Sequence, residues 1–192
     1  MIDGALQSLI DQYGAMSPAT YTDVKKTCQI LKVKKGTLLV EEGSYSDKLY
    51  YIINGGMRAY YLNDGKTITD WFAFEHDFIS SIISFFLLVP SQHNIETLED
   101  STLLVLKRDD IEKLCEKHHD FERIGRLSVT KTMLQLQQRI VSIQFKTSRE
   151  RYDSLLEKYP KIEHRAPLGD MASYLGITQE TLSRLRNPKN GI

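Results

Sequence analysis

The chain has 192 residues, 41% of them hydrophobic and 26% charged, and no net charge at neutral pH. That composition fits a soluble globular protein of one large domain or two small ones and argues against disorder. Its apolar runs are too short to span a bilayer, its start lacks the basic and long apolar regions of a secretion leader, and Cys28 and Cys115 lie far apart, so neither membrane nor disulfide frame is expected and a reducing cytoplasm is.

Residues 3–27 read as helical. Leu6, Leu9, Ile10 and Tyr13 share one face, Ser17-Pro18 breaks the run, and Tyr21, Val24 and Lys25 follow. From Cys28 to Leu106 the chain is rich in β-branched and aromatic residues, with turn signals at short intervals. Turns fall at Lys35-Gly36 and at Glu42-Gly43-Ser44. Leu49 to Ile53 and Met57 to Leu62 are two strands around Asn54-Gly55-Gly56, and Asn63-Asp64-Gly65 turns into Thr67 to Phe72. Asn-Gly and Asp-Gly between alternating runs are hairpin signals. Asn94 to Leu106 again reads strand, turn, strand. Many short antiparallel strands at this spacing predict a sandwich or jelly-roll barrel.

Between the strands lies an apolar insert with interleaved serines, His76 to His93. It reads as a short helix, Ser80 to Leu88, ending before Pro90. Such a helix forms the floor of a small-molecule pocket or simply caps the barrel. Arg108-Asp109-Asp110 is expected to cap a short helix holding Ile111, Leu114 and Cys115. Phe121 to Phe145 is then one long helical pattern without proline. It carries two apolar stripes: Ile124, Leu127, Leu134 and Val141, interrupted by Lys131 and Gln138, and Val129, Met133, Leu136, Ile140 and Ile143. Two stripes call for two packing partners, one the chain's own barrel and the other a twin helix in a homodimer. The alternative is a helix buried within a monomer. Ser148 to Tyr159 is an amphipathic helix with Ser148 as cap, ended by Pro160.

Leu168 to Arg186 reads as two short helices joined by a tight turn. Leu168, Met171, Ala172 and Leu175 fill one face of the first; Gly176 allows a sharp bend, and Ile177 plugs the space between the helices. Thr178 caps the second, with Thr181 placed for a reciprocal cap. That helix buries Leu182 and Leu185 and shows Gln179, Glu180, Ser183, Arg184 and Arg186 on its other face. This is the pattern of a helix-turn-helix whose second helix enters the DNA major groove. The plainer alternative is a helical hairpin with a solvated polar face. Charge distribution favours DNA: residues 1–120 carry 12 Lys+Arg against 18 Asp+Glu, residues 121–192 carry 13 against 7. A polyanion would meet the basic back half, and a dimer would double the phosphate contacts.

Helix, jelly-roll barrel with an internal short helix, long helix and helix-turn-helix, in that order, resembles the Crp/Fnr superfamily of bacterial transcription regulators over nearly the whole chain. GTLLVEEGSYSDKLYYIINGGMRAYY is similar to the family's first barrel strands, with Gly43 and Gly55 at the turns. ERYDSLLEKYP followed by the helix-turn-helix resembles a Bacteroidetes-type branch that is short at its C-terminus. The fold implied is α+β: an antiparallel jelly-roll sensor barrel (1–120), a dimerisation helix (121–145) and a helix-turn-helix domain (146–192).

By position, Gln179, Glu180 and Arg184 match the family's base-reading residues. Arginine can bridge O6 and N7 of guanine, and glutamate can accept from cytosine N4. Thr178, Thr181, Ser183 and Arg186 fall where phosphate contacts belong. The effector pocket would be formed by Ser80, Ser81, Ile82, Ile83, His93 and Asn94, with Phe85 and Phe86 adding apolar lining. Cyclic-nucleotide-binding members have Gly-Glu at the start of the pocket helix and Arg-Ser or Arg-Ala after it. Here Ser80-Ser81 and Gln92 to Asn94 stand there, and no lysine or arginine lies between Lys66 and Lys107. An anion buried there without a cation is costly, so no cyclic AMP binding is expected. Cys28 alone cannot hold an iron–sulfur cluster, and haem would require His76 or His93 as axial ligand. No cofactor or metal is expected, and the effector is an unknown small molecule or none. The family's β-hairpin wing has no counterpart after Asn187-Pro188.

The function implied is a homodimeric, sequence-specific regulator binding double-stranded DNA, with RNA polymerase as a further partner. The competing reading is a ligand-binding or protein-interaction module whose helix-turn-helix does not bind DNA. An enzyme is not expected: no Gly-rich phosphate loop, HExxH or GxSxG is present, and His118-His119 has no metal-ligand spacing.

Overall fold

The computed structural model describes residues 1–187. Helices α1 (Ile2–Tyr13) and α2 (Pro18–Thr27) come first. Ser17 caps α2 by accepting from the Thr20 amide at 3.2 Å, with Pro18 in the first turn where its missing N–H costs nothing. Eight strands follow: β1 (Gln29–Val33), β2 (Leu38–Val40), β3 (Lys48–Asn54), β4 (Met57–Asn63), β5 (Lys66–Ala73), β6 (Phe78–Ile79), β7 (Asn94–Thr97) and β8 (Ser101–Lys107), with helix α3 (Ile82–Leu87) between β6 and β7. Then come α4 (Arg108–Lys117), the long α5 (His119–Phe145), α6 (Ser148–Lys158), a single turn α7 (Ile162–Arg165), α8 (Leu168–Leu175) and α9 (Gln179–Arg186).

The strands form two antiparallel four-stranded sheets, ordered β1-β8-β3-β6 and β2-β7-β4-β5. Between them lie Val40, Tyr50, Ile52, Met57, Ala59, Ile79, Ile95 and Leu103. The first sheet is buried on both faces. Its outer side, with Tyr51, Leu104 and Leu106, packs against Leu6, Leu9, Val24, Leu114 and Ile124 from α1, α2, α4 and α5. Burial on both faces explains why LYYII and TLLVL run as continuous apolar stretches. The second sheet presents Phe72 and, just past β5 and β7, Phe74 and Leu98 outward to Tyr152, Leu155, Met171, Leu175 and Leu182 of the C-terminal helices.

The jelly-roll expectation holds, and the pairings refine it. Asp64-Gly65, both with positive φ (49° and 74°), closes a two-residue hairpin between β4 and β5. Asn54-Gly55-Gly56 closes none: β3 pairs with β8 and β6, while β4 lies in the opposite sheet. Gly55 (φ 107°) makes that crossing possible, because a Cβ there would sit 2.2 Å from Ser101 Oγ. Likewise β7 and β8 are joined by a turn yet belong to different sheets. Turn residues announce a change of direction; the choice of partner rests on contacts made some fifty residues away.

Three helix ends differ from expectation. The insert helix is shorter, Ile82–Leu87, and stops at Leu88 in the left-handed region (φ 57°). Helix α4 has Lys107 before its first turn and no side-chain cap, with Asp109 and Asp110 placed where they favour its N-terminal dipole. The cap of α6 is Thr147, not Ser148: Thr147 Oγ1 accepts from the Glu150 amide and Glu150 accepts from the Thr147 amide at 2.8 Å, a complete capping box.

Candidate nucleic-acid interface

Helix α8 ends at Gly176 (φ 66°), and the Ile177 amide returns to the Ala172 carbonyl at 3.0 Å. This left-handed closure satisfies the last carbonyls of α8 and sets the angle at which α9 leaves. Thr178 caps α9 by accepting from the Thr181 amide at 3.1 Å. The reciprocal cap is absent; the Thr181 hydroxyl meets the Thr178 hydroxyl at 3.0 Å instead. Leu182 is fully buried and Leu185 half-buried, which anchors one side of α9.

The other side faces outward. Gln179, Glu180, Ser183, Arg184 and Arg186 are exposed. Gln179 leans over the first helix, where a Cβ on Gly169 would lie 2.8 Å from its Nε2. It also lines an open cleft of about 560 Å3 with Asp64, Lys66 and Thr67 of the β4–β5 hairpin. The residues expected at phosphates are differently placed. Arg186 is held by Glu163 at 2.7 Å, which also accepts from Tyr152 Oη at 2.6 Å. Thr178 and Thr181 spend their hydroxyls on the cap. Sequence reading passed over Arg149, whose guanidinium donates to the Leu185 carbonyl at 3.2 Å and steadies the end of α9. Its signal in the sequence is only an i,i+4 pairing with Asp153. The expected absence of a wing concerns residues after Asn187 and lies outside the described residues.

The long helix α5 sorts its two stripes as expected at its start. Ile124 is buried against the barrel's helices, Leu127 packs beside it, and Lys131 reaches Asp77 at 3.9 Å. The second stripe is bare: Val129, Met133, Leu136, Ile140 and Ile143 are each 43–60% exposed. Leu134 and Val141 of the first stripe are also exposed. The helix is therefore not buried within its own chain.

The expected effector pocket is a buried polar cluster rather than an apolar one. Ser80, Ser81, Ser84, Ser91, His93 and Asn94 are all buried. Ser81 Oγ donates to Ser91 Oγ at 2.8 Å, Ser91 Oγ donates to the His93 carbonyl at 2.6 Å, and Asn94 Oδ1 accepts from the Glu42 amide at 3.0 Å. Ser80 Oγ, His93 Nε2 and Asn94 Nδ2 have no hydrogen-bond partner among the described residues. Burial lowers the pKa of His93, opposed by Asp70, so the imidazole favours its neutral form. The apolar lining is partly corrected: Phe85 is buried and Ile83 half-buried, but Ile82 and Phe86 are 50% and 58% exposed and face outward. His76 is turned to Ser8 (2.7 Å) and Tyr51, and His93 to the Tyr61 ring.

Residues 30–118 match the family model of the cyclic nucleotide-binding domain. The matched stretch spans the barrel and α4. The chain as a whole has the fold of the Crp/Fnr regulators. FixK2 from Bradyrhizobium japonicum is similar over 85% of this chain and 84% of its own, with 20% identity and a TM-score of 0.73. A Crp/Fnr-family transcriptional regulator from Eubacterium rectale is similar over 88% and 82%, with 20% identity and a TM-score of 0.68. The c-di-GMP-responsive regulator CLP of Xanthomonas campestris is similar over 91% and 92%, with 14% identity and a TM-score of 0.69. No curated protein matches the chain at the level of sequence. Among the described residues no helix is long and apolar enough to cross a membrane. Within the barrel, the serine cluster lies between the start of α3 and the start of β7.

Proposed function

We propose that the protein is a homodimeric, sequence-specific DNA-binding transcription regulator. The observation that carries this reading is the free face of α9, where Gln179, Glu180, Ser183 and Arg184 stand exposed on a braced helix-turn-helix. Gln179, Glu180 and Arg184 read bases, and Ser183 and Arg186 meet phosphate, Arg186 after leaving Glu163. The bare stripe of α5 supports the pairing. Its members recur at alternating steps of four and three residues, the seam of a two-stranded coiled coil. Pairing two copies presents two α9 helices to successive turns of one duplex, which calls for a palindromic site. RNA polymerase is the partner through which a bound regulator would act. Selection of bound sequences from a random pool, followed by gel shift at low and higher salt, tests the proposal. A sequence-selective, salt-sensitive complex is expected; equal affinity for all duplexes, or none, defeats it.

The barrel's input is something other than cyclic AMP. Ser80 and Ser81 offer no carboxylate to a ribose, no lysine or arginine lies between Lys66 and Lys107, and His93 is held toward its neutral form. A cyclic phosphate would be buried without a cation. Isothermal titration with cyclic AMP is expected to give no saturable heat, and micromolar binding would overturn this assignment.

A further inference from the structure

The C-terminal helices do not hang from α5; they are docked on the second sheet. Strand β5 is an open edge of that sheet. Its Thr69 amide donates to Ser173 Oγ at 2.9 Å, and the same hydroxyl donates to the Thr67 carbonyl at 3.2 Å. Helix α8 thereby occupies the place of a missing strand. Phe72 and Tyr174 rings pack at 5.1 Å, and Tyr159 Oη donates to the Phe72 carbonyl at 3.0 Å.

Into this contact the chain inserts a cation. Arg58, on β4, has a side chain only 12% exposed. It donates to Asp170, in the first turn of α8, and to Glu96 on β7 at 3.1 Å, while its guanidinium lies 4.3 Å from the centre of the Tyr60 ring. Burial raises the pKa of Asp170, opposed by Arg58. A buried ionic group of this kind is a poor source of adhesion, because desolvation offsets the attraction. What it supplies is direction: each carboxylate accepts only where the planar fork points. A second arginine repeats the device. Arg165, on α7, grips Glu75 through two 2.8 Å bonds, also donates to Glu99, and covers the Phe74 ring at 4.3 Å. Burial raises the pKa of Glu75, but Arg165 and the Gly55 amide outweigh it and leave it lowered, so the carboxylate is charged.

The acidic partners are not arbitrary. Glu96 lies two residues beyond Asn94 on β7, and Glu75 opens the turn that leads through β6 to Ser80. Both chain segments end in the cluster that holds the unpaired polar atoms. We infer that Arg58 and Arg165 are positioning residues: they fix one pose of the helix-turn-helix on the barrel. The docked pose is the one that reads DNA, since it leaves Glu180, Ser183 and Arg184 exposed. The DNA part of this inference rests on the proposed function; the docking part does not.

Full-length protein tests it with Arg58→Met, the opposed pair Arg58→Asp and Asp170→Arg, and their combination. Hydrogen exchange is read over 66–73 and, as a control, over 48–54 and 101–107; affinity is read on the selected site. Arg58→Met leaves two neighbouring carboxylates without their cation. It and each reversed charge should speed exchange on β5 about tenfold and weaken DNA binding about as much, within the range of coupling between contacting charges, while β3 and β8 are unchanged. The combined charge exchange should restore protection and most of the affinity. Unchanged β5 protection in Arg58→Met, or loss of protection throughout the barrel without recovery in the double variant, overturns the inference. Should the wild type bind no duplex, the regulator reading falls and exchange alone decides the clamp.

Discussion

Ile140→Asp will turn a dimer into monomers and abolish selective DNA binding. Ile140 is 56% exposed on the isolated chain and sits midway along the stripe formed by Val129, Met133, Leu136 and Ile143. Across a two-fold axis each seam residue meets its own copy or a neighbour's. The variant therefore places two carboxylates in one apolar seam. Each must lose its water or be neutralised, a cost of several kcal/mol per unpaired buried charge. Ile140 belongs to none of the packed clusters of the barrel, so the fold itself should survive. A monomer brings one recognition helix and about half the phosphate contacts, and affinity falls steeply with the number of phosphates engaged. Light scattering after size exclusion should show the mass halved, with an unchanged circular dichroism spectrum and no shifted band on the selected duplex. A variant that remains dimeric would show that another surface joins the copies.

Arg184→Ala should weaken binding to the best site by roughly 1–3 kcal/mol and relax selectivity at one base position of each half-site. The side chain is exposed on the free face of α9, so its removal disturbs no packing. Arginine's fork matches the two acceptors of guanine, and alanine leaves both unmet. Arg186 differs, since it must first give up Glu163. Binding measured with the selected site and its single-base variants, beside a light-scattering check that the dimer persists, would decide the matter. Unchanged affinity for the best site removes Arg184 from the reading set.

Much of this was legible from residue order. Helical spacing marked α5, α8 and α9, and Gly176 marked the bend, because those signals act over a few residues. The barrel was legible as a class but not as a wiring. The Asp64-Gly65 hairpin is local, whereas the partner of β3 is chosen by Tyr51 and Ile52 packing beside Leu103 and Leu104, about fifty residues later. Thr147 and Ser148 are adjacent hydroxyls of equal capping ability, and only the reach of Glu150 separates them. The clamp was not legible. Arg58 sits at an outward position of an alternating strand, which reads as solvent, and Asp170 sits in the first turn of a short helix, where an acidic residue reads as a partner of the helix dipole. Nothing near either residue in the chain names the other. Ser80, Ser81, His93 and Asn94 are buried near one another, but Ile82 and Phe86 were misjudged as lining because they belong to an apolar helix whose Ser84 and Phe85 side faces inward.

The seating of Ser173 on Thr67 and Thr69 has a consequence for how the protein can be divided. A fragment ending after α5 would leave those backbone groups bare beside Phe72, Phe74 and Leu98, all now covered by the C-terminal helices. Such a fragment invites pairing with further molecules of its own kind. The barrel is therefore expected to self-associate when cut free, a tendency that the C-terminal helices hold in check in the whole chain.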